Sequence, residues 1–264
     1  MILPRVITAV FGIPIVLTVV YIGGIPFLLF VMFVIIASAW EYYIMMKLSS
    51  KSADFFSLFI SSATIPIAFY LNGDAPSYNF ITMVISFCVI LPFFVEVFRK
   101  EWSLERIAYT YIASFFISFT LSHLILIRDI PSNGRFFTYI LFISVWICDT
   151  AAYFFGTKFG KRRLSSVSPK KTLEGFFAGL ISCILFFYVV SKNFDILSRW
   201  QFIAVSFITA IAGQYSDLAQ SLIKRSCGVK DSSNLLPGHG GVFDRFDSYL
   251  FLAPLFYYFY VVIR

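Results

Sequence analysis

The densest group of residues able to do chemistry lies between positions 216 and 247. Carboxylates bind hard divalent cations, and Lys and Arg bind the remaining charge of phosphates. The bare amides of a glycine turn can hold a phosphate oxygen. This combination favours a metal-nucleotide site over a merely solvated loop. It comprises three carboxylates, four cations and one turn: Asp217, Asp244, Asp247, Lys224, Arg225, Lys230, Arg245 and Gly238–Gly241.

Helical spacing indicates which of these side chains can act together. Asp217, Ser221 and Lys224 share one helical face at i, i+4 and i+7. Asp244 and Asp247 stand at i and i+3, and they converge if the last helix starts there. We therefore predict Asp217, Asp244 and Asp247 as metal ligands. His239, between glycines, either donates to a phosphate or has only a structural role in the turn.

A second polar group follows Asp149, which lies well inside an apolar stretch. An ionised carboxylate in hydrocarbon costs about 2.5–3.5 kcal/mol unless it faces a wet cavity or a cation. Gly156 and Gly160 share its helical face and permit close backbone approach. The next turn, with Ser168, Lys170, Lys171 and Thr172, precedes a helix whose N-terminal amides could hold a phosphate. The alternative is a polybasic loop that only orients the protein and contacts anionic lipid.

The elements that position these groups are predicted to be membrane helices. The 264 residues are 59% hydrophobic and only 13% charged, against roughly 25% charged in soluble domains. The apolar stretches lack period-2 alternation and are long enough to cross a bilayer, so an all-α polytopic membrane protein is expected. Nine stretches are predicted: 5–22, 25–46, 54–71, 77–97, 105–127, 136–155, 174–191, 201–223 and 247–263.

The basic residues predict the orientation of these nine stretches. With the N-terminus inside, sixteen of the 21 Lys and Arg residues fall in inside loops, as the positive-inside rule requires. The loops 156–173 and 224–246 then face the cytosol. We expect an uncleaved first span, a cytosolic N-terminus and residence in the inner (cytoplasmic) membrane among its lipids. Because the basic residues sit in short loops, the net charge of +7 does not indicate nucleic-acid binding.

The chain divides by where its polar residues lie. Residues 1–135 are expected to form five scaffold helices that could supply dimer contacts. Residues 136–264 are expected to form four helices with the catalytic loops. Glu41 and Glu96 lie near span ends and are expected to reach water, while His123 is expected to make a hydrogen-bonded helix contact. The four cysteines form no pattern typical of disulfides or zinc.

The stretch 146–247 resembles the CDP-diacylglycerol synthase (phosphatidate cytidylyltransferase) family. The family pattern reads S-x-x-x-K-R, then K-D, then P-G-H-G-G-x-x-D-R-x-D. Earlier stretches are similar to its W-x-x-D-x-x-A-Y-x-x-G and S-P-K-K-T-x-E-G segments. The chain departs from the usual G-D-L-x-E-S at Ser216 and Gln220. The later pattern is met by Ser221, Lys224, Arg225, Lys230, Asp231, Pro237, Gly238, His239, Gly240, Gly241, Asp244, Arg245 and Asp247.

The resemblance implies that CTP and phosphatidate react to give CDP-diacylglycerol and pyrophosphate, with Mg²⁺ alone or with a second cation. It implies that Asp217, Asp244 and Asp247 bind the metal. The departure at Gln220 removes an acidic residue, so we assign Gln220 no catalytic role. A homodimer is compatible with it. The other implied catalytic residues are Lys224, Arg225 and Arg245. The implied substrate-binding residues are Ser221, Lys230, Asp231, Gly238, His239, Gly240, Gly241, Asp149, Ser168, Lys170, Lys171 and Thr172.

Other functions remain as alternatives at this point. A related enzyme could act on an isoprenoid or ether-lipid phosphate, or phosphorylate a polyprenol. The CDP-alcohol phosphatidyltransferases fit less well, because their D-G-x-x-A-R stretch does not occur. A secondary transporter could use Asp149 and Asp217 as coupling-ion sites, but such sites lie near mid-bilayer and not in a glycine-rich cytosolic loop.

Overall fold

The computed structural model describes residues 3–72, 79–235 and 240–263, with side chains from Val10 onward except at position 79. Within these ranges the regular elements are all helical, which confirms the all-α expectation. The helices are α1 Leu3–Ile22, α2 Gly24–Leu48, α3 Phe55–Asn72, α4 Asn79–Val97, α5 Leu104–Ala113, α6 Thr120–Arg128, α7 Gly134–Phe159, α8 Leu173–Asn193, α9 Arg199–Ser226 and α10 Tyr249–Ile263.

The helices fit the predicted membrane architecture. A π-helical turn, Ser114–Phe119, joins α5 to α6, so that Leu104–Arg128 is one continuous helix. This helix and α2, α3, α4, α7, α8 and α9 are long and apolar enough to cross a membrane. Two further apolar helices, Val10–Ile22 and Tyr249–Ile263, are shorter. The polytopic membrane fold is thereby confirmed, while nine crossings and a cytosolic N-terminus stay predictions.

The second half of the chain packs in sequence order. Helix α7 packs on α8, α8 on α9, and α9 on α10, which also contacts α6. A capping box starts α9, because the backbone N–H of Ser198 donates to Gln201 Oε1 at 2.8 Å while the Ser198 side chain caps the first turn. These contacts bring the loop after α7 and the loop after α9 to one end of the bundle.

Close approach between α7 and α8 depends on glycine. A Cβ at Gly160 would lie 2.2 Å from the Gly156 carbonyl oxygen and 2.6 Å from Thr172 Cγ2. A Cβ at Gly175 would lie 2.7 Å from the Ala152 carbonyl oxygen. The sequence predicted close backbone approach here, and the structure shows that the approaching partner is the neighbouring helix.

The expectation that Glu41 and Glu96 reach water is wrong. Their exposed fractions are only 2% and 4%, and buried carboxylates need hydrogen bonds or opposite charges. Glu96 accepts the backbone N–H of Ser103 at 2.6 Å and pairs with Arg106 at 3.4 Å.

His123 is fully buried, with Nδ1 2.9 Å from the Phe119 carbonyl oxygen, as expected for a helix-contact histidine.

A substitution of Gly160 by Ala should test the packing at the end of α7, against the Gly156 carbonyl of the same helix and against Thr172, the N-cap of α8. The new methyl must displace backbone, so we expect a loss of about 1–3 kcal/mol and a lower apparent unfolding temperature in detergent. Gly12→Ala is the control, because no atom of the described residues lies within 4 Å of its added Cβ and Ala favours a helix by about 1 kcal/mol. Equal unfolding temperatures for Gly160→Ala and the wild type would contradict the packing argument.

Candidate functional site

An ion pair joins the two predicted loops. Lys171 Nζ lies 2.5 Å from Asp217 Oδ2, and both side chains are partly exposed. A short hairpin delivers Lys171 to this position: the backbone N–H of Leu164 donates to the Lys171 carbonyl at 2.8 Å, and that of Leu173 donates to the Arg162 carbonyl at 2.9 Å. This charge pair attaches the loop between α7 and α8 to α9.

The other predicted residues of this hairpin have local roles. Thr172 is the N-cap of α8, and its hydroxyl oxygen accepts the backbone N–H of Gly175 at 3.2 Å. The Ser168 carbonyl accepts the backbone N–H of Lys171 at 3.0 Å, and Lys170 is exposed. The capping bond accounts for Thr172 structurally. The predicted contacts of Ser168, Lys170 and Thr172 with a lipid phosphate stay predictions.

Asp247 lies in the turn before α10, where Ser216 of α9 holds the backbone. The buried Ser216 hydroxyl donates to the Asp247 carbonyl and accepts the backbone N–H of Phe251 at 3.1 Å. One carboxylate oxygen of Asp247 accepts the backbone N–H of Ser248 at 2.7 Å. The departure from glycine at position 216 thus supplies a bridge that fixes Asp247 beside α9.

Three carboxylates interact electrostatically at this place. Burial raises the pKa of the Asp247 carboxyl well above its usual value, and the negative charges of Asp217 and Asp149 raise this pKa further. The positive charges of Lys171 and Lys224 oppose the shift. Asp149 is exposed and Asp217 is partly exposed, so the protein does not fully cover this carboxylate cluster, Asp149, Asp217 and Asp247. Its surplus negative charge favours binding of a cation.

Asp244 has its acceptor oxygens already engaged. Oδ1 accepts Lys224 Nζ at 2.7 Å and Gln220 Nε2 at 2.9 Å. Oδ2 accepts the Ser232 backbone N–H and hydroxyl, each at 2.9 Å, and the Gly241 backbone N–H at 3.0 Å. Asp244 therefore anchors Lys224 and the loop, which the sequence did not predict. Its role as a metal ligand stays a prediction.

The charge state of Asp244 follows from the same contacts. Burial alone would raise the pKa of its carboxyl, but hydrogen bonds from Lys224, Gln220 and the Gly241 amide, together with the Lys224 charge, lower the pKa to about 2. Asp244 is thus ionised at neutral pH and neutralises Lys224.

Within the described ranges, no group of three or more His, Cys, Asp or Glu side chains is already placed to hold a metal ion.

The remaining predicted residues divide into those that hold the loops and those that are exposed. Ser221 Oγ donates to Asp217 Oδ1 at 3.3 Å. Arg225 donates to the Val167 carbonyl at 3.4 Å and the Val229 carbonyl at 3.0 Å, so it joins the two loops.

The exposed predicted residues lie around the carboxylate cluster and the loop after α9. Lys230, Asp231 and Arg245 are exposed. Gly240 has a φ of +79°, a conformation that favours glycine. Pro237, Gly238 and His239 lie outside the described residues.

Glu41 is the site residue that sequence reasoning missed. From α2 it reaches the loop after α9, where it accepts four hydrogen bonds at 2.7 to 2.9 Å, one of them shared with Asp244. The signal was available, because an acidic residue in an apolar span is costly at Glu41 as it is at Asp149 and Asp217. The donors to Glu41 are the hydroxyls of Ser232 and Ser233 and the backbone N–H groups of Val242 and Phe243.

Comparisons with known proteins agree over almost the whole chain. The model of the cytidylyltransferase family matches residues 3–263. The phosphatidate cytidylyltransferase of Staphylococcus haemolyticus is 33% identical over 255 residues, covering 95% of this chain and 96% of the relative. That of Bacillus subtilis is 27% identical over 261 residues, covering 96% of each. That of Staphylococcus epidermidis is 44% identical over 126 residues, covering 47% of this chain and 48% of the relative.

Asp244→Asn should destabilise the protein in a pH-dependent way. The pKa of Asp244 is lower in the fold than its usual value of 3.8, so its stabilising effect is complete above that pH and disappears as the pH falls toward about 2. The difference in unfolding temperature between the wild type and the variant should be largest near neutral pH and narrow below about pH 4. Asp195→Asn, at an exposed position, is the control. A difference that does not change with pH would contradict the ion pair with Lys224.

Proposed function

Because the chain belongs to the cytidylyltransferase family, we propose that it is a phosphatidate cytidylyltransferase, converting CTP and phosphatidate into CDP-diacylglycerol and pyrophosphate. The relatives of that name match it end to end. The observation that carries the proposal is the meeting of Lys171 with Asp217, beside Asp149 and Asp247. Two loops far apart in sequence thus form one charged site.

The reaction requires charge neutralisation and positioning of the substrates more than covalent catalysis. An oxygen of the phosphatidate phosphate attacks the α-phosphorus of CTP, forming a new P–O bond. The bond between that phosphorus and the bridging oxygen of the β-phosphate breaks, and pyrophosphate leaves with the electron pair. A phosphate monoester is already anionic at neutral pH, so a strong general base is not required.

The chain's own cations would hold the two phosphates. We assign the exposed Lys230 and Arg245, with the predicted glycine turn, to the triphosphate of CTP, while Asp231 stays a predicted substrate-binding residue. Lys170 and Lys171 would contact the lipid phosphate. Lys224 is neutralised by Asp244, so its contribution is to position the loop.

The open carboxylate cluster fits a divalent cation. Lys171 forms an ion pair with Asp217 of this cluster, and the charge of Lys224 acts on Asp247 while Lys224 itself is paired with Asp244. Mg²⁺ at nucleotide sites is held by one or two carboxylates together with substrate phosphates, without a ready-made protein cage. These carboxylates would hold one or two such cations. When bound, the cation neutralises charge on the phosphates.

The substrates determine where such a site must lie. CTP is soluble and phosphatidate is a membrane lipid, so the cleft must open to both. The exposure of Asp149 in the apolar helix α7 supports this opening. From the distribution of basic residues we place the loops after α7 and α9 on the cytosolic side of the cytoplasmic membrane. A homodimer stays a prediction.

The direct test uses purified protein with labelled CTP, Mg²⁺ and defined lipids. We expect labelled CDP-diacylglycerol and pyrophosphate in equal amounts when phosphatidate is present. Product formed only with an isoprenoid phosphate or an ether-lipid phosphate would instead identify a related enzyme. CTP left intact with every lipid would refute nucleotidyl transfer and leave the transporter as the explanation.

Asp247→Asn should weaken turnover through the cation. Removing one charge from the carboxylate cluster should lower kcat by a factor of about 100 or more and raise the Mg²⁺ concentration required for half-maximal activity. The matched control is Asp195→Asn, an exposed position between α8 and α9, which should keep wild-type activity. If Asp247→Asn kept the wild-type Mg²⁺ dependence, Asp247 would be removed from the cation site.

A further inference from the structure

The first half of the chain contributes a buried carboxylate to the described parts of segment 232–243, residues 232–235 and 240–243. Glu41 belongs to α2, and its four donors lie 191 to 202 positions later in the sequence. Oε1 accepts the Ser233 hydroxyl at 2.7 Å and the Val242 backbone N–H at 2.9 Å. Oε2 accepts the Ser232 hydroxyl at 2.8 Å and the Phe243 backbone N–H at 2.9 Å.

We propose that Glu41 is a positioning residue that holds residues 232–235 and 240–243, on either side of the predicted phosphate-binding turn, in place for binding of the CTP phosphates. Glu41 would act through this segment and would not itself touch substrate. The inference rests on the proposed function for its ligand. Its structural part, the attachment of the segment to α2, can be tested without that function.

The donors show why a carboxylate is required at position 41. Each oxygen accepts one hydroxyl and one backbone N–H, so the group must be acceptor-only on both sides. An amide in its place would turn an NH₂ donor toward either the Val242 or the Phe243 N–H. That arrangement leaves a buried donor without an acceptor, which costs more than the lost bond.

Gly241 packs directly against the same carboxylate. A Cβ at this position would lie 2.2 Å from Glu41 Oε2 and 2.0 Å from Ser232 Oγ. The absence of a side chain therefore allows the chain to pass directly over Glu41. The Gly241 N–H donates to Asp244 Oδ2, so two carboxylates bind consecutive amides from 241 to 243.

Helix α2 is a rigid support for this attachment. Next to Glu41, Ala39 and Tyr42 are completely buried, so the helix is fixed in the core. The same helix and the turn after it also hold the end of α9: Lys51 Nζ donates to the Ser226 carbonyl at 2.7 Å, and Cys227 Sγ lies 3.8 Å from Met46 Sδ. Both ends of the loop between α9 and α10 are thereby attached to α2 or to the turn that follows it.

The test compares Glu41→Gln with Glu96→Gln in the purified full-length protein. Both residues are buried glutamates that accept backbone N–H groups, but Glu96 contacts Ser103, Arg99 and Arg106, away from segment 232–243. We expect Glu41→Gln to raise the KM for CTP about tenfold and to change the KM for phosphatidate less than about twofold. Glu96→Gln should leave both values at the wild-type level per folded molecule, even if less folded protein is recovered.

Hydrogen–deuterium exchange supplies a readout that does not depend on activity. Peptides that contain Val242 and Phe243 should exchange at least about tenfold faster in Glu41→Gln, because their amides lose a carboxylate acceptor. The same peptides should be unchanged in Glu96→Gln. Ser233→Ala should raise the KM for CTP in the wild type but add little to Glu41→Gln, because both remove one interaction.

The outcomes separate the two proposals. A wild-type protein that leaves CTP intact refutes the proposed function, while faster exchange in Glu41→Gln would still establish the attachment. An active wild type in which Glu41→Gln keeps the KM for CTP overturns the positioning role. Unchanged exchange at residues 242 and 243 overturns the attachment itself.

Discussion

Electrostatic repulsion among Asp149, Asp217 and Asp247 is the constraint on which the site depends. Carboxylates brought together at the end of an apolar bundle repel one another, and burial at Asp247 adds to the cost. Lys171 relieves part of this repulsion through its ion pair with Asp217. The remaining negative charge favours a divalent cation, and with it the phosphates that such a cation carries.

The second group of carboxylates, Asp244 and Glu41, has the opposite character, because their oxygens already accept several hydrogen bonds. Asp244 is saturated by Lys224, Gln220, Ser232 and Gly241, and Glu41 is saturated by two hydroxyls and two amides. These contacts show both carboxylates holding the chain in place. The site thus contains an unsaturated cluster for chemistry beside saturated carboxylates that hold the loop in place.

Much of the fold could be predicted from the sequence because apolar length alone determines a membrane helix. The stretches 105–127 and 174–191 correspond to helices Leu104–Arg128 and Leu173–Asn193. Both loops were also recognisable, since Asp149 and Asp217 are costly in an apolar chain. Their contact through Lys171 was not predictable, because no local pattern records which loops meet. Sequence spacing likewise grouped Asp244 with Asp247, although the chain turns between them and α10 begins only at Tyr249.

The role of Glu41 shows that the part of the site which the sequence could not predict depends on tertiary contacts. Its neighbours in sequence are apolar and give no sign of a partner, and the four donors lie in a loop almost two hundred positions away. The contact of Gln220 was likewise not predictable from the sequence, because its amide reaches Asp244 only where the loop folds back over α9. A glutamate there would place a second carboxylate against Asp244, and the single charge of Lys224 could neutralise only one of them. With a neutral amide at position 220, Lys224 pairs with Asp244 alone. This departure from the family pattern therefore helps to stabilise the position of the loop.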